Sequence, residues 1–510
     1  MRAVLSAGVV IAALATSPAA SEKARPAVPA KPDDGTIVHV LNRIGFGPAP
    51  GDIERVRRLG LARYIEQQLH PASVPDTAMA SRLSGFETLA KSTRELAEDY
   101  FIPALEARRA ARQAAGDAAP ARGQRTPQQI DAMDGERRVL VELTGQKVLR
   151  AAYSERQLEE VLVDFWFNHF NVFAGKGQTR LYLAEYERDV IRPHVLGKFK
   201  DLLTATAESP AMLFYLDNWQ SAAPRTLPNG RTRGINENYA RELMELHTLG
   251  VDGGYTQRDV QEVARAFTGW TIAAPRQGGS FRFDPRMHDN GEKVVLGHRI
   301  KAGGGRADGE QVIDILARHP STATFIATKL ARRFVSDTPP PALVSRAAAV
   351  FRSSDGDLRE VVRTIVTSPE FFAETARRAK VKTPFEFVAS ALRASGVDAR
   401  APQPFVQALR ELGMPAYQCQ PPTGYADRAD AWVNTGALLA RMNFAVALSS
   451  GRLRGVSARP AADTAVVRDT FVKEALAGEI SEATRATVAQ ASGPGPTLAL
   501  LLGSPEFQRR

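Results

Sequence analysis

Cysteine is nearly absent from this sequence: Cys419 is the one cysteine in 510 residues. One thiol closes no internal disulfide, so stability must come from the size of the core. There is no Cys-x-x-Cys-His, which excludes covalent attachment of a c-type haem. No segment stays apolar long enough to cross a bilayer. Also missing are the His-Glu-x-x-His zinc helix, the Gly-x-Ser-x-Gly elbow, the phosphate loop and the dinucleotide fingerprint. The Gly-rich stretch "KAGGGRADGE" (301–310) lacks the strand-to-helix setting such loops need and reads as a connection. Strand signals are few.

The chain does contain enough apolar residues, 44% against 24% charged, to bury a sizeable core. The opening "MRAVLSAGVVIAALATSPAAS" places Arg2 before an apolar run at 3–15 and small residues near Ala19 and Ala20. That tripartite order predicts a cleaved secretory signal over 1–20 and a periplasmic or secreted protein. The formal charge is +10, or +9 without Arg2, the only charged residue in 1–20. Without clustered aromatics or finger motifs, this excess does not suggest nucleic acid. It suggests an anionic envelope surface or polymer as partner.

A Pro- and Ala-rich spacer over 21–35 leads into one long helical region, 36–510. Within it, 104–137 is poor in aliphatic residues and reads as a mobile, partly helical insert. Ser154 and Gln157 have capping-box spacing at the start of a helix. Ser209, Ser368 and Ser504 each precede a proline and suit helix caps. In "FRFDPRMHDNGEKVVLG" (281–297), two short apolar runs flank Asp289-Asn290-Gly291, which predicts a hairpin with His288 at its tip. The expected fold is mainly α: a large multi-helix globular domain with one small β-hairpin insertion.

Two helices concentrate polar residues. Advancing 100° per residue along 236–249 places Tyr239, Ala240, Leu243, Leu246 and His247 on one side, and Glu237, Asn238, Arg241, Glu242 and Glu245 on the other. The i,i+4 pairs Glu237–Arg241 and Arg241–Glu245 fit a solvated ion-paired face. The helix 155–173 is apolar nearly all round, hence buried. Yet Glu160, Asp164, Asn168 and Asn171 form one polar stripe, whose members need partners. The natural partner is the polar face of 236–249. Facing stripes make either a structural hydrogen-bond network or a ligand site. Thr256 with Asp259 reads as a helix cap, Trp270 as core, and "HPSTATFIATKLARRFV" as a capped helix with a basic outer face.

The segments "LNRIGFGP", "DFWFNHFNV", "NENYARELMELHTLGVDGGYTQRDVQEVARAFTGW", "HDNGEKVVLG", "HPSTATFIATKLARRF", "SPEF" and "PPTGYADRADAWVNTGALLARMNFA" occur in this order. The set resembles the bacterial family catalogued as domain of unknown function 1800, over about 36–510. The resemblance implies a large exported protein, with an exported sulfatase- or phosphatase-like neighbour as partner. It brings no agreed activity and so no catalytic residue. It does mark Trp166, Asn168, His169, residues 236–247, Trp270, His288 and Asp289 as signature positions.

Two readings remain open. In the first, His169, Glu242, His247 and His288 perform acid–base hydrolysis on an envelope or extracellular polymer, with Asp164, Trp166, Asn168, Asn238, Arg241 and Asp289 binding it. A divalent cation on Asp164, Glu242 and Glu245 is the metal-dependent form of that reading. In the second, the chain is a non-catalytic periplasmic binding or assembly module with a structural polar network. Intact-mass measurement of exported protein checks the signal: cleavage near residue 20 is expected, and retention of residues 1–20 would contradict it.

Overall fold

The computed structural model describes residues 28–115, 126–226, 232–457 and 463–510. The expected signal at 1–20 lies outside them. One hydrophobic cluster extends from Ile37 to Phe507, so first and last helices share a core. The fold is mainly α.

At its centre lies the helix Gln157–His169, with eleven of its thirteen residues buried. It packs against Leu61–Leu69, Pro127–Tyr153 and the π-helical turn Tyr186–Ile191. Helix Pro320–Phe334 packs on Ala307–Arg318, Pro341–Ser353 and Leu358–Val366, and touches the π-helical turn Leu243–Thr248. Helix Pro384–Ser395 covers the long helix Pro127–Tyr153.

Several local expectations hold. Ser209, Ser368 and Ser504 accept from the backbone N–H of Ala211, Phe371 and Phe507. Thr256 and Asp259 form a full capping box. Others need correction. Ser154 caps nothing at Gln157: its hydroxyl donates to Asp76, and the helix starts behind Arg156 without a side-chain cap. The Gln157 amide instead donates to Ala151 and Ser154 carbonyls and accepts from Phe46 N–H, tying three segments together. The insert at 104–137 is partly helical, as expected, in Ile102–Ala115 and Pro127–Tyr153, which pack together; 116–125 lies outside the described residues.

The expected hairpin does not form. Phe281–Phe283 pairs backwards with Trp270–Ile272, and Lys293–Val295 pairs forwards with His298–Ile300. The described residues hold four two-stranded antiparallel ladders, where one hairpin was expected. The Asp289-Asn290-Gly291 turn thus joins two ladders, and His288 is buried between them.

Charge is buried with the core. Glu386, 3% exposed, meets Arg333 Nη1 at 2.6 Å and Arg510 Nη2 at 2.9 Å, and accepts from Thr383 N–H at 2.8 Å. Burial alone would raise its pKa, but Arg333 and Arg510 outweigh it and hold the carboxyl near 2. Its folded pKa is depressed, so its stabilisation is complete above the ordinary carboxylate range and is lost as pH falls toward 2. Glu386→Gln would strand two buried guanidinium groups, and chemical denaturation at neutral pH is expected to show a loss of about 3–5 kcal/mol.

Candidate functional site

The polar stripe on the buried helix exists, but it does not face helix 236–249. Glu160 takes a two-pronged pair from Arg192, at 2.7 and 2.9 Å. Asp164 meets Lys147 at 2.8 Å and Arg333 at 3.9 Å. Asn171 donates to the carbonyls of Cys419 and Pro421 at 3.0 and 2.8 Å. Asn168 Nδ2 donates to the Tyr425 carbonyl at 2.8 Å, while its Oδ1 accepts from Tyr425 N–H at 2.7 Å. The last two asparagines thus hold the loop 419–428 as one strand holds another. Gly424 closes that contact: with φ +72°, a Cβ there would collide with the Asn168 carbonyl.

The segment 236–249 departs from a regular helix. It is α-helical over Asn238–Glu242 and π-helical over Leu243–Thr248, with Leu249 N–H bonding Met244 O at 2.8 Å. The wider turn shifts every later side chain from its 100° position. Upstream, the solvated face is as expected: Arg241 meets Glu237 at 3.3 Å and Gln257 at 2.9 Å. Asn238 donates to Leu216 O at 3.3 Å. Glu245 accepts from the Tyr255 hydroxyl at 3.3 Å. Burial raises the Glu242 carboxyl pKa, reinforced by Glu245 and opposed by Arg241.

The two helices do meet through their histidines. His169 Nε2 donates to the His247 carbonyl at 3.1 Å, and the rings lie 6.2 Å apart. His169 is therefore protonated on Nε2, and its Nδ1 is buried without a partner among the described residues. Burial holds both imidazoles neutral, His247 down to about 3 and His169 well below its ordinary value, with Lys329 adding to both effects. Such groups do not exchange protons at neutral pH.

His288 is far from the exposed tip expected of it. Its Nδ1 donates to Thr268 O at 2.8 Å, and its Nε2 lies 3.1 Å from Asp308. Lys293 Nζ pairs with the same carboxylate at 2.7 Å, and all three side chains are fully buried. This triad locks the two ladders onto helix Ala307–Arg318. Asp289 pairs with Arg265 at 2.8 Å. Trp166 is core, with its indole N–H donating to Val195 O at 3.2 Å. The expected cation set does not form: Asp164 is matched by lysine and arginine, and among the described residues no three His, Cys, Asp or Glu side chains converge.

What the structure does assemble is a cleft of about 280 Å³ lined by Phe165, Asn168, His169, Lys329, Arg332 and the loop 423–428. Asn168 and His169 were expected at a site. Lys329, Arg332, Asp427 and Arg428 were not. Asp427 is turned to Lys380, 2.9 Å away, and Arg332 Nε donates to Asp337 O at 3.2 Å. Lys329 makes no hydrogen bond or ion pair with any described residue; its ammonium lies 5.4 Å from the Phe325 ring centre. Burial lowers its pKa to about 8, Asp427 opposing and Arg332 adding to the shift.

Fold and cleft together define a mainly α protein with a cation-lined recess on its central helix. The chain belongs to the family described as "Protein of unknown function (DUF1800)", whose model matches residues 39–509. No curated protein and no solved structure matches it. No helix of the described residues is long and apolar enough to cross a membrane.

The Asn168 clamp is open to direct test. Asn168→Ala leaves the Tyr425 N–H and carbonyl without their side-chain partner, at about 1–3 kcal/mol. Hydrogen exchange is expected to speed up in 421–428 before the rest of the chain; unchanged protection there would rule out the clamp.

Proposed function

We propose that this chain is an exported binding module whose cleft takes an anionic group of an envelope or extracellular polymer. One observation carries the reading: Lys329 faces the cleft without a protein counter-ion. Lys329 is half-buried; withdrawing an unpaired ammonium from water in this way is costly, and a ligand anion offsets part of that cost. Arg332 and Arg428 line the same recess, and the one carboxylate there, Asp427, is already paired with Lys380. The positive net charge, +10 for the full chain including Arg2, would draw a polyanion toward it. Acid–base hydrolysis by the histidines has less support, because His169, His247 and His288 are buried in core or ion-pair settings.

The sign of the pH effect follows from Lys329. Its folded pKa is lowered, so between about 8 and the ordinary lysine value the unfolded chain carries the extra proton. Stability therefore rises with pH across that window, and the penalty is full below it. An anion that needs the ammonium binds best below about pH 8.

Thermal melting with polygalacturonate, and with neutral dextran as control, tests the reading. A hundredfold excess over Kd corresponds to about 2.7 kcal/mol of stabilisation. Polygalacturonate is expected to raise Tm at pH 6.5 more than at pH 9, and Lys329→Met to raise the ligand-free Tm while losing most of that response. Equal responses to dextran and polygalacturonate, or an undiminished response in Lys329→Met, would overturn it.

A further inference from the structure

Holding an anion explains why Lys329 is cationic but not why its surroundings discourage the charge. A lysine meant only to pair with an anion would gain from a carboxylate behind it. Here burial and the Arg332 guanidinium in the same cleft disfavour the charge, while Asp427, committed to Lys380 at 2.9 Å, and the Phe325 ring under the ammonium offset them only in part. The recess keeps two guanidinium groups, Arg332 and Arg428, even when Lys329 is neutral. A neutral amine beside fixed cations, open to solvent on the cleft side, is the arrangement that makes a lysine nucleophilic.

We propose that Lys329 captures a 2-oxo acid as an imine, with the ligand carboxylate held by Arg332 and Arg428. This rests on the anion-binding reading and deepens it, since the anion is what brings the carbonyl to Nζ. The Nζ lone pair forms the new C–N bond, and the carbonyl π pair moves to oxygen. Loss of that oxygen with the two amine protons, as water, leaves the C=N bond. No oxidant or further reactant is needed. The lowered pKa of about 8 supports the step by leaving a fraction of the amine free at neutral pH.

Lys382 supplies an internal control. Burial lowers it further, to about 7, yet its Nζ is enclosed by Ser390 Oγ at 2.8 Å and the Phe507 ring at 3.9 Å. If a depressed pKa alone decided reactivity, Lys382 would react as well as Lys329. If access to the cleft decides, it would not.

The full chain is treated with pyruvate and sodium cyanoborohydride at pH 7.5, then mapped by peptide mass spectrometry. The expected result is one carboxyethyl group on Lys329, at least tenfold above any other lysine, including Lys382, and its loss in Lys329→Met. Labelling spread evenly over the exposed lysines, or unchanged in the variant, overturns the imine. A parallel melt with lactate, which keeps the carboxylate but has no carbonyl, separates the two ideas. If lactate raises Tm but pyruvate is not trapped, the imine falls and the anion site stands. If neither happens, both fall.

Discussion

A helix buried on nearly every side cannot leave polar groups bare, and that constraint on Gln157–His169 organises the molecule. The polar residues of its stripe are matched by three other segments: Glu160 by Arg192, Asp164 by Lys147, and Asn168 with Asn171 by the loop 419–425. In water these partners would be optional. In the core each missing one costs about 1–3 kcal/mol, so the stripe dictates which segments gather round the helix. The cleft arises where this gathering leaves a recess between the asparagine-held loop and helix Pro320–Phe334.

That second helix carries charge in two directions. Arg333 turns inward to Glu386, while Lys329 and Arg332 line the cleft. The loop on the opposite wall is bound into the same charge system through Asp427, Lys380 and Asp337, with Lys380 meeting the two carboxylates at 2.9 and 2.7 Å. One wall is therefore fixed by a buried ion pair and the other by half-buried carboxylates on a buried lysine, and both resist small displacements because separating opposite charges withdrawn from water is costly. A recess held in this way is already formed before any ligand enters it.

The sequence displayed the helical character, the proline-adjacent caps and the burial of helix 155–173, because these follow from local periodicity and capping chemistry. It showed the stripe on that helix but not its partners. Asn168 and Asn171 bond backbone atoms of a loop more than two hundred positions away, and backbone atoms leave no side-chain pattern to read. The hairpin failed because the turn signal at 289–291 is real while the strands on either side pair elsewhere. In 236–249 Leu243 and His247 are buried and Glu245 is not, as the periodicity implied, while the π turn, which residue identity does not announce, buries Met244 and Thr248 beside them. Lys329 was hidden by its own helix: a lysine on a basic amphipathic face looks solvated until a second wall closes over it. His288 looked exposed for the opposite reason, since nothing local reveals that Asp308 and Lys293 surround it.

The clamp between Asn168 and Tyr425 spans 257 positions, which sets a timetable. A chain emerging from its N-terminus completes the central helix long before the loop that satisfies it exists. Until then Asn168 and Asn171 lack their lasting partners, and the helix has an unfinished side. The strand-like contact of Lys380 with Arg510, through N–H to O at 3.2 Å and its reciprocal at 2.8 Å, comes later still. Contacts of such long range form slowly, because loop closure must precede any gain from them. The recess is thus among the last features to appear, and a chain ending before residue 423 would lack the cleft altogether.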